Sequence, residues 1–304
     1  GGSEPQSSGR PPPAVPSRRN TFCDMMTPAN IGILAPRQSA ASLHAMQRLQ
    51  AECARVGILA SEIKDLNSTD HLLGEPAMVL CLGGDGTMLS AAADAARQGI
   101  ILGGVNLGHL GFLSACGREE IALLVQALAD GTYEVEERTM LEVVRCGGQS
   151  SSVKPHLALN EMALMRAQTG KMVDVDVEVD GRLLNRYHAD GVLVATPTGS
   201  TAYSLSAGGP LVWPTAGVLC LTPICPHSLT NRSVVLPDSA ELIMRPRERR
   251  GRSGESLLYS LDGRRIHPIA LNDTLVIRKA SCPLKLLSLP AGDYATRLRV
   301  KLGW

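Results

Sequence analysis

The segment that most constrains the fold of this chain is Gly83-Gly84-Asp85-Gly86-Thr87, which lies between an apolar run and an alanine-rich segment. The apolar run, residues 77–82, predicts a buried strand, and residues 88–97 predict a helix. A glycine turn that ends a strand and opens a helix favours phosphate binding. Glycine lets the backbone approach an anion, and the helix N-terminus offers unpaired N–H groups and a positive dipole.

The carboxylate of Asp85 is unexpected at the centre of such a turn. A plain phosphate cradle gains nothing from it, since like charges repel. Its presence makes sense where it must meet a hydroxyl or a metal ion, which indicates phosphoryl transfer to an alcohol. The alternative is structural: a tight turn in which the Asp85 side chain caps the following helix.

The first half of the chain alternates predicted strands and helices. Ser39 is placed to cap the first helix, and Gly57 and Gly99 are placed to end helices. Alternation of this kind predicts a parallel sheet covered by helices on both faces. The strands are expected at residues 30–35, 58–63, 77–82 and 100–105.

After Tyr133 the pattern changes to short segments rich in Val and Leu, divided by turn signals. These segments predict an all-β half, with a hairpin turn at Asp180-Gly181. The boundary is expected near residues 132–142, between an α/β domain over residues 27–137 and a β-rich domain that begins at 138. A binding site is expected between the two halves.

Composition excludes several classes of function. The chain is 44% hydrophobic and 19% charged, and its net charge of +1 gives no general affinity for nucleic acid or for an anionic membrane. No apolar run reaches the roughly 18–20 residues of a membrane span. The eight cysteines form no Cys-x-x-Cys pair, so buried, reduced thiols in a reducing cytoplasm are expected rather than a zinc site. Residues 1–26, rich in Pro, Ser and Gly, predict a disordered tail.

Polar residues concentrate in three further segments. Residues 196–210 hold seven Thr, Ser or Tyr and three glycines, which predicts a loop lining a polar ligand pocket. Asn160 and Glu161 offer donors and acceptors that could read ribose hydroxyls or a base edge. Arg245–Arg252 contains five arginines, and a solvated loop is favoured there over contact with phosphate. No Gly-x-Gly-x-x-Gly fingerprint is present, so a hydride-transferring dehydrogenase is not expected.

Taken in order, these motifs resemble the NAD kinase family, enzymes that use ATP or polyphosphate to phosphorylate NAD to NADP. The resemblance covers roughly residues 30–304, and its SLSAGGP segment is similar to the bacterial branch. The matching motifs are GGDGT at 83–87, NLGHLGFL at 106–113, EERTML at 136–141, Asn160-Glu161, Asp190-Gly191, TPTGSTAYSLSAGGP at 196–210, TPICPHSL at 222–229 and RVKLGW at 299–304.

The resemblance implies an architecture and a set of partners. It implies a Rossmann-like N-terminal α/β domain followed by a β-sandwich-like C-terminal domain over residues 138–289, with residues 290–304 packing back on the first domain. It also implies a homodimer or homotetramer with sites near the subunit contacts. Mg²⁺ would enter with the phosphate donor, without metal ligands from the protein.

The resemblance assigns roles to individual residues. Asp85 would contact the 2′-hydroxyl of the adenosine ribose of NAD and act as general base or orient that hydroxyl. His188 stands where many bacterial members have Arg, which leaves the choice between NAD and NADH open, and Arg264 stands where Gln is common. The donor's phosphates would be held by Gly83, Gly84, Gly86 and Thr87. The positions matching NAD contacts are Asp85, Gly86, Phe112, Asn160, Glu161, Lys171, His188, Asp190, Thr198, Thr201, Ala202, Tyr203, Ser204, Leu205, Ser206 and Arg264.

Two other functions stay open at this point. A kinase for a lipid or a sugar alcohol shares the GGDG motif, but the hydroxyl-rich loop and Asn160-Glu161 argue against it. A dinucleotide sensor would bind NAD without turnover, but a binding protein has no need of Asp85 in a phosphate loop. The sequence leaves the donor, ATP or polyphosphate, undecided.

Overall fold

The computed structural model describes residues 26–35, 39–66, 77–108, 111–147, 155–167, 172–228, 230–247, 257–290 and 294–304. The tail expected to be disordered lies outside the described residues except for its last residue. Lys171 and part of the Arg245–Arg252 segment also lie outside them.

The first half alternates strands and helices, as predicted. Its elements are β1 (Asn30–Leu34), α1 (Ala40–Arg55), β2 (Leu59–Ile63), β3 (Met78–Leu82), α2 (Asp85–Gln98), β4 (Ile101–Asn106), β5 (Cys116–Gly117), a 3-10 turn (Arg118–Glu120), α3 (Ile121–Ala129) and β6 (Glu134–Arg138). Ser39 caps α1 through a capping box with Ser42. Gly99 ends α2 in the left-handed conformation, with φ of 68°. The helix signals predicted at Ser39 and Gly99 are confirmed, and Gly57, with φ of 81°, follows the end of α1 as predicted.

The second half is dominated by β structure. Its elements are β7 (Leu141–Cys146), β8 (His156–Ala158), β9 (Glu161–Arg166), β10 (Val173–Val179), β11 (Arg182–Ala189), β12 (Gly191–Ala195), a 3-10 turn (Thr198–Thr201), α4 (Tyr203–Ser206), β13 (Val218–Ile224), β14 (Val234–Pro237), β15 (Leu242–Arg247), β16 (Leu257–Leu261), β17 (Arg265–Ile269), β18 (Thr274–Lys279), β19 (Leu284–Ser288) and α5 (Tyr294–Leu302). The hairpin predicted at Asp180-Gly181 is confirmed: the two residues have φ of 48° and 75° and join antiparallel β10 and β11.

The glycine loop belongs to a seven-stranded sheet in the order β2-β1-β3-β4-β19-β6, with β5 paired to β4. The pairings are parallel except for that of β19 with β6. Along β3, Leu80 packs on the face that carries α1 and α3, and Val79 packs on the face that carries α2. The loop therefore follows a central parallel strand at its carboxyl end, where open α/β sheets bind ligands.

Strand β19 corrects the expected domain boundary. Residues up to 289 were expected in the β-rich domain, but β19 pairs with β4 and β6 in the first sheet. Its residues Leu284, Leu286 and Leu287 are buried there. A short apolar strand carries no local signal of the sheet that receives it. The return to the first sheet thus begins at Leu284 rather than at residue 290.

The β-rich half is a sandwich, as expected. Its two six-stranded sheets have the orders β11-β10-β15-β18-β7-β8 and β14-β13-β12-β9-β16-β17, and all their pairings are antiparallel. Side chains from both sheets, such as Val175 and Leu164, share one core. Leu159 and Ala92 of α2 belong to another common core, which joins the two halves. No helix among the described residues is long and apolar enough to cross a membrane.

Candidate active site

The glycine loop is shaped by its own first helical turn. A Cβ on Gly83 would overlap the hydroxyl of Thr87, which folds back over the loop, whereas a Cβ on Gly84 would meet open space. Gly84 is the N-cap of α2, and its carbonyl accepts from the N–H of Thr87 at 2.9 Å. The loop therefore presents the start of a 14-residue helix to the space above the sheet.

Asp85 is held by a second glycine turn, one of the motifs of the sequence. Its Oδ2 accepts the backbone N–H of Phe112 at 2.8 Å, and its Oδ1 accepts that of Leu113 at 3.1 Å. A Cβ on Gly111 would overlap the Asp85 carboxylate, so only glycine fits there. Asp85 makes no side-chain cap on α2, and the capping alternative is therefore wrong. Its carboxylate is half-buried and oriented by the NLGHLGFL segment.

Asn160 and Glu161 are fixed by a residue that sequence reasoning missed. The buried Asp262 carboxylate accepts backbone N–H groups from Leu159 at 3.2 Å, from Asn160 at 2.7 Å and from Glu161 at 3.3 Å. Asp262 has a positive φ of 53° in the turn between β16 and β17. Its only sequence signal is the Asp262-Gly263 pair, which is typical of a turn and says nothing of a partner one hundred residues away.

Glu161 is a buried carboxyl group with spare hydrogen-bonding capacity. Burial, followed by the nearby charge of Asp262, raises the pKa of Glu161 to about 7, and a hydrogen bond from the Tyr203 backbone acts in the opposite direction. Its Oε2 has no hydrogen-bond partner among the described residues. A buried polar atom without a partner is uncommon in a folded protein, so this oxygen is free to accept a further hydrogen bond.

The hydroxyl-rich loop, predicted to line a polar pocket, is partly structural, because several of its hydroxyls bond the protein itself. Thr196 donates to the carbonyl of Leu159 at 2.5 Å, and Ser200 donates to that of Pro197 at 2.7 Å. The fully buried Ser204 hydroxyl lies 3.4 Å from that of Thr222. The buried Thr198 hydroxyl, by contrast, has no partner among the described residues. Short polar side chains bond local backbone readily, so a count of hydroxyls overstates the pocket.

Gly199 brings this loop against the Asn160 segment. A Cβ there would overlap the carbonyl of Asn160, and the N–H of Thr196 donates to that carbonyl at 2.9 Å. Farther along the loop, Thr201 bonds the carbonyl of Thr198 at 3.2 Å. Of the remaining expected contacts, Ala202 precedes α4, and Leu205 and Ser206 lie within it.

Tyr203 shares a space with two carboxylates. Burial and the charges of Asp190 and Glu161 raise the pKa of Tyr203. Asp190 Oδ1 lies 3.1 Å from Nη2 of Arg166, and the neighbouring His188 pairs through Nδ1 with Asp174 at 2.6 Å. Tyr203, Asp190 and Glu161 therefore face one region, while His188 is engaged with β10.

Arg264 connects the two groups of residues. It lies two residues after Asp262, in the same turn, yet its Nη1 is 3.4 Å from the position of a Cβ built on Gly86. No described residue accepts a hydrogen bond from its guanidinium. A cation beside the positive end of α2 is unfavourable unless an anion lies between them. The turn between β16 and β17 thus bonds the Asn160-Glu161 segment through Asp262 and approaches the expected donor loop through Arg264.

The chain is similar to known proteins over most of its length. Residues 34–133 match the ATP-NAD kinase N-terminal domain, and residues 159–289 match the ATP-NAD kinase C-terminal domain. The NAD kinase of Cytophaga hutchinsonii is 40% identical over 238 residues, which is 78% of each chain. That of Koribacter versatilis is 40% identical over 231 residues, 75% of this chain and 78% of the relative.

The chain belongs to the NAD kinase family. The resemblance in its motifs is therefore confirmed, and the lipid- or sugar-alcohol kinase alternative falls away. Two solved members share the fold: yeast NADH kinase complexed with NADH, with a TM-score of 0.79 at 24% identity over 90% of this chain and 87% of that one, and an Archaeoglobus fulgidus NAD kinase in complex with ATP, with a TM-score of 0.72 at 22% identity over 90% and 98%.

Proposed function

We propose that this chain transfers the terminal phosphate of ATP to the 2′-hydroxyl of the adenosine ribose of NAD, giving NADP. The observation that carries the proposal is the Asp85 carboxylate, fixed at the first turn of α2 by two backbone N–H groups. A phosphate site alone does not require this group, whereas an attacking hydroxyl does.

In this reaction Asp85 orients the hydroxyl and accepts its proton. Each Asp85 oxygen receives one N–H bond and keeps a second lone pair for the ribose O–H. The nucleophile is then aimed at the phosphorus in line with the leaving group, and the proton transfers as the new P–O bond forms. Positioning supplies most of the rate enhancement, and the base assists it.

The donor's phosphates are proposed to lie on Gly83, Gly84, Gly86 and Thr87. The N–H groups of the first α2 turn would bind the phosphate oxygens, and the Arg264 guanidinium would face them from the other half of the molecule. Arg264 matches a family position for NAD, but its guanidinium lies near the start of α2, beside Gly86, which supports a role toward the donor as well. ATP is the proposed donor, and polyphosphate would present the same oxygens.

NAD is proposed to bind across the Asn160-Glu161 segment and the hydroxyl-rich loop. The unpartnered Oε2 of Glu161 and the unpartnered hydroxyl of Thr198 support this placement, because ribose and amide groups would satisfy both. Asp190 and Tyr203 would contact the nicotinamide side and the adenine side, respectively. The other proposed contacts are Phe112, Lys171, His188, Thr201, Ala202, Leu205 and Ser206. The Ser204 hydroxyl, which the resemblance also placed there, is fully buried against Thr222 instead.

Mg²⁺ is proposed to arrive with the donor. Among the described residues, no three His, Cys, Asp or Glu side chains are grouped to hold a metal ion. Mg²⁺ prefers oxygen ligands, keeps several waters and binds readily to substrate phosphates, so a triphosphate and water can carry it into the site. When bound, the ion neutralises charge on the phosphates.

Assembly and location are also proposals. A homodimer or homotetramer is proposed on the family resemblance, and sedimentation of the purified chain would measure its mass in solution. A reducing cytoplasm is proposed because the described cysteines are free thiols, several of them buried.

The test is direct. Purified protein is incubated with NAD or NADH, Mg²⁺ and either ATP or polyphosphate, and product is read with an NADP-specific dehydrogenase. We expect NADP with ATP, and a loss of at least about 100-fold in kcat for Asp85→Asn with NAD binding retained. Tight NAD binding without product would indicate the dinucleotide sensor instead. Wild-type turnover by Asp85→Asn would refute the role of the carboxylate.

A further inference from the structure

Helix α5 contains a buried arginine that does not belong to any expected site. The helix buries only Arg297 and Leu298, and Arg297 is 9% exposed. Arginine is almost never this buried unless its charge has a partner. A leucine or methionine would fill the same space at lower desolvation cost, so the guanidinium needs a further reason.

Charge pairing does not supply that reason. Arg297 lies beside Arg138, which is itself buried and pairs with Glu136 at 2.5 Å. Burial and the Arg138 charge lower the pKa of Arg297, although Glu136, Asp85 and Glu120 act in the opposite direction. In this cluster one pairing carboxylate is bonded to Arg138, and none of the described residues forms an ion pair with Arg297.

The bond that Arg297 does make leads to Asp85. Its Nη1 donates to the carbonyl oxygen of Phe112 at 2.9 Å. That carbonyl belongs to the same peptide group as the N–H of Leu113, which donates to Asp85 Oδ1 at 3.1 Å. A guanidinium on the oxygen of a peptide group polarises its N–H, so the second bond is strengthened by the first.

Aromatic contacts hold α5 at this place. The Tyr294 ring lies 6.3 Å from that of Phe112 and 5.0 Å from that of Trp213, measured between centroids. The Tyr294 hydroxyl also donates to the carbonyl of Val212 at 3.4 Å. Helix α5 is thereby fixed between the glycine turn of the first half and the loop that precedes β13 in the second.

We propose that Arg297 is a positioning residue for phosphoryl transfer, which acts through the 112–113 peptide group to fix the Asp85 carboxylate. The proposal rests on the proposed role of Asp85. It assigns Arg297 no contact with NAD or the donor. Its loss should therefore reduce turnover and leave substrate binding intact.

Two variants and a matched control test this. Arg297→Met keeps the length of the side chain and removes the guanidinium, and we expect kcat to fall roughly 10- to 100-fold with KM for NAD and ATP within about twofold. Arg297→Lys keeps a donor and should recover part of the loss. Arg138→Met removes an equally buried charge from the same cluster, but one that bonds Glu136 rather than the turn, and should keep kcat. An equal fall in kcat for Arg138→Met would overturn the proposal.

A double-mutant cycle separates positioning from general stability. If Arg297 acts through Asp85, Asp85→Asn with Arg297→Met should be no slower than Asp85→Asn alone. Losses that multiply would show an independent, structural effect and overturn the inference. Should Arg297→Met not fold, Arg297→Lys enters the cycle in its place. Full activity of Asp85→Asn would refute the proposed function itself, whereas an inactive Asp85→Asn with a fully active Arg297→Met would refute only this inference.

Discussion

The carboxyl groups of Asp85 and Glu161 differ in how fully the protein satisfies their hydrogen bonds. Asp85 is half-buried, and each of its oxygens receives a backbone N–H. Glu161 is 3% exposed, one of its oxygens lacks a partner among the described residues, and burial raises its pKa to about 7. The first group is oriented before any ligand arrives, and the second keeps hydrogen-bonding capacity that a ligand can use.

Asp85 belongs to the α/β half and Glu161 to the β-rich half, so the difference indicates a fixed reacting group in the first half and a ligand-recognising group in the second. A group that acts on the reacting atoms gains from being fixed in advance, because no reorganisation is then needed during the reaction. A group that recognises a ligand can remain unsatisfied in the free protein, since the ligand completes its bonds and a poor match leaves it unpaired. Each prediction below changes one side of this comparison.

The largest effect is expected from Gly111→Ala. The new Cβ would overlap the Asp85 carboxylate and displace it, and we expect kcat to fall by roughly 100-fold or more. The matched control is Gly108→Ala in the same turn, where, among the described residues, the Cβ would meet only Asn106 Oδ1 at 4.0 Å. NADP formation measures both. Equal activity of the two variants would mean that the orientation of Asp85 is unimportant.

Glu161→Gln should act on binding instead. It removes the charged acceptor proposed for NAD, so we expect KM for NAD to rise roughly tenfold or more while KM for ATP changes little. Steady-state kinetics with each substrate varied in turn measures the two constants. A rise in KM for ATP alone would place Glu161 on the donor side.

The same variant should change how stability depends on pH. Because the pKa of Glu161 is raised from 4.5 to about 7, the folded protein binds more protons than the unfolded chain within that interval. The stability from this group is fully present below pH 4.5 and is lost as pH rises through 7, by on the order of 3 kcal/mol at most. Burial also raises the pKa of Asp262, in both proteins alike. Glu161→Gln should therefore lose less Tm than wild type between pH 5 and 8, and identical losses would contradict the assignment.

Arg264→Gln tests the residue that lies between the proposed donor loop and the Asn160-Glu161 segment. Loss of a charged donor beside Gly86 should raise KM for ATP by roughly tenfold, with a smaller change in KM for NAD. Arg265→Gln is the neighbouring control, because that guanidinium bonds the carbonyl of Leu157 at 2.6 Å instead. If KM rises for NAD alone, Arg264 serves only the dinucleotide.

The smallest effects come from two hydroxyls of the same loop. Thr198→Val removes the unpartnered hydroxyl and should raise KM for NAD a few-fold with stability unchanged or improved. Ser204→Ala removes a hydroxyl that contacts Thr222 and should cost about 1 kcal/mol of stability with KM unchanged. Thermal unfolding and steady-state kinetics measure both variants. A loss of stability in Thr198→Val together with a rise in KM for NAD in Ser204→Ala would mean that the two hydroxyls are assigned wrongly.

A feature of the site could be predicted when the residues that form it lie close together in the sequence, and could not when they lie far apart. Gly83 to Thr87 could be placed at a helix N-terminus because strand, glycines and helix are contiguous. The support of Asn160 by Asp262 could not be predicted, since a turn motif gives no indication of a distant backbone partner. The hydroxyl-rich loop was overestimated as a pocket because Thr196, Ser200 and Ser204 bond to the protein itself.

The fold, too, could be predicted only where its signal is local in the sequence. Alternating strands and helices predicted the parallel sheet, and Asp180-Gly181 predicted a hairpin, because both patterns are local. Strand β19 was assigned to the wrong half, since nothing in Leu284–Ser288 distinguishes a strand of the sandwich from one that fills a gap between β4 and β6.

The place of β19 has a consequence for how the protein is made. Leu286 pairs with Leu102, so the first sheet is closed by a strand that leaves the ribosome only after the whole sandwich has been synthesised. Until then, the Ile101–Leu102 part of β4 has an open edge of the kind that joins other chains, and β6 has no partner in the sheet. Contacts this distant in sequence form slowly. The α/β half can begin to fold first, yet it must wait for the sandwich before its sheet is complete.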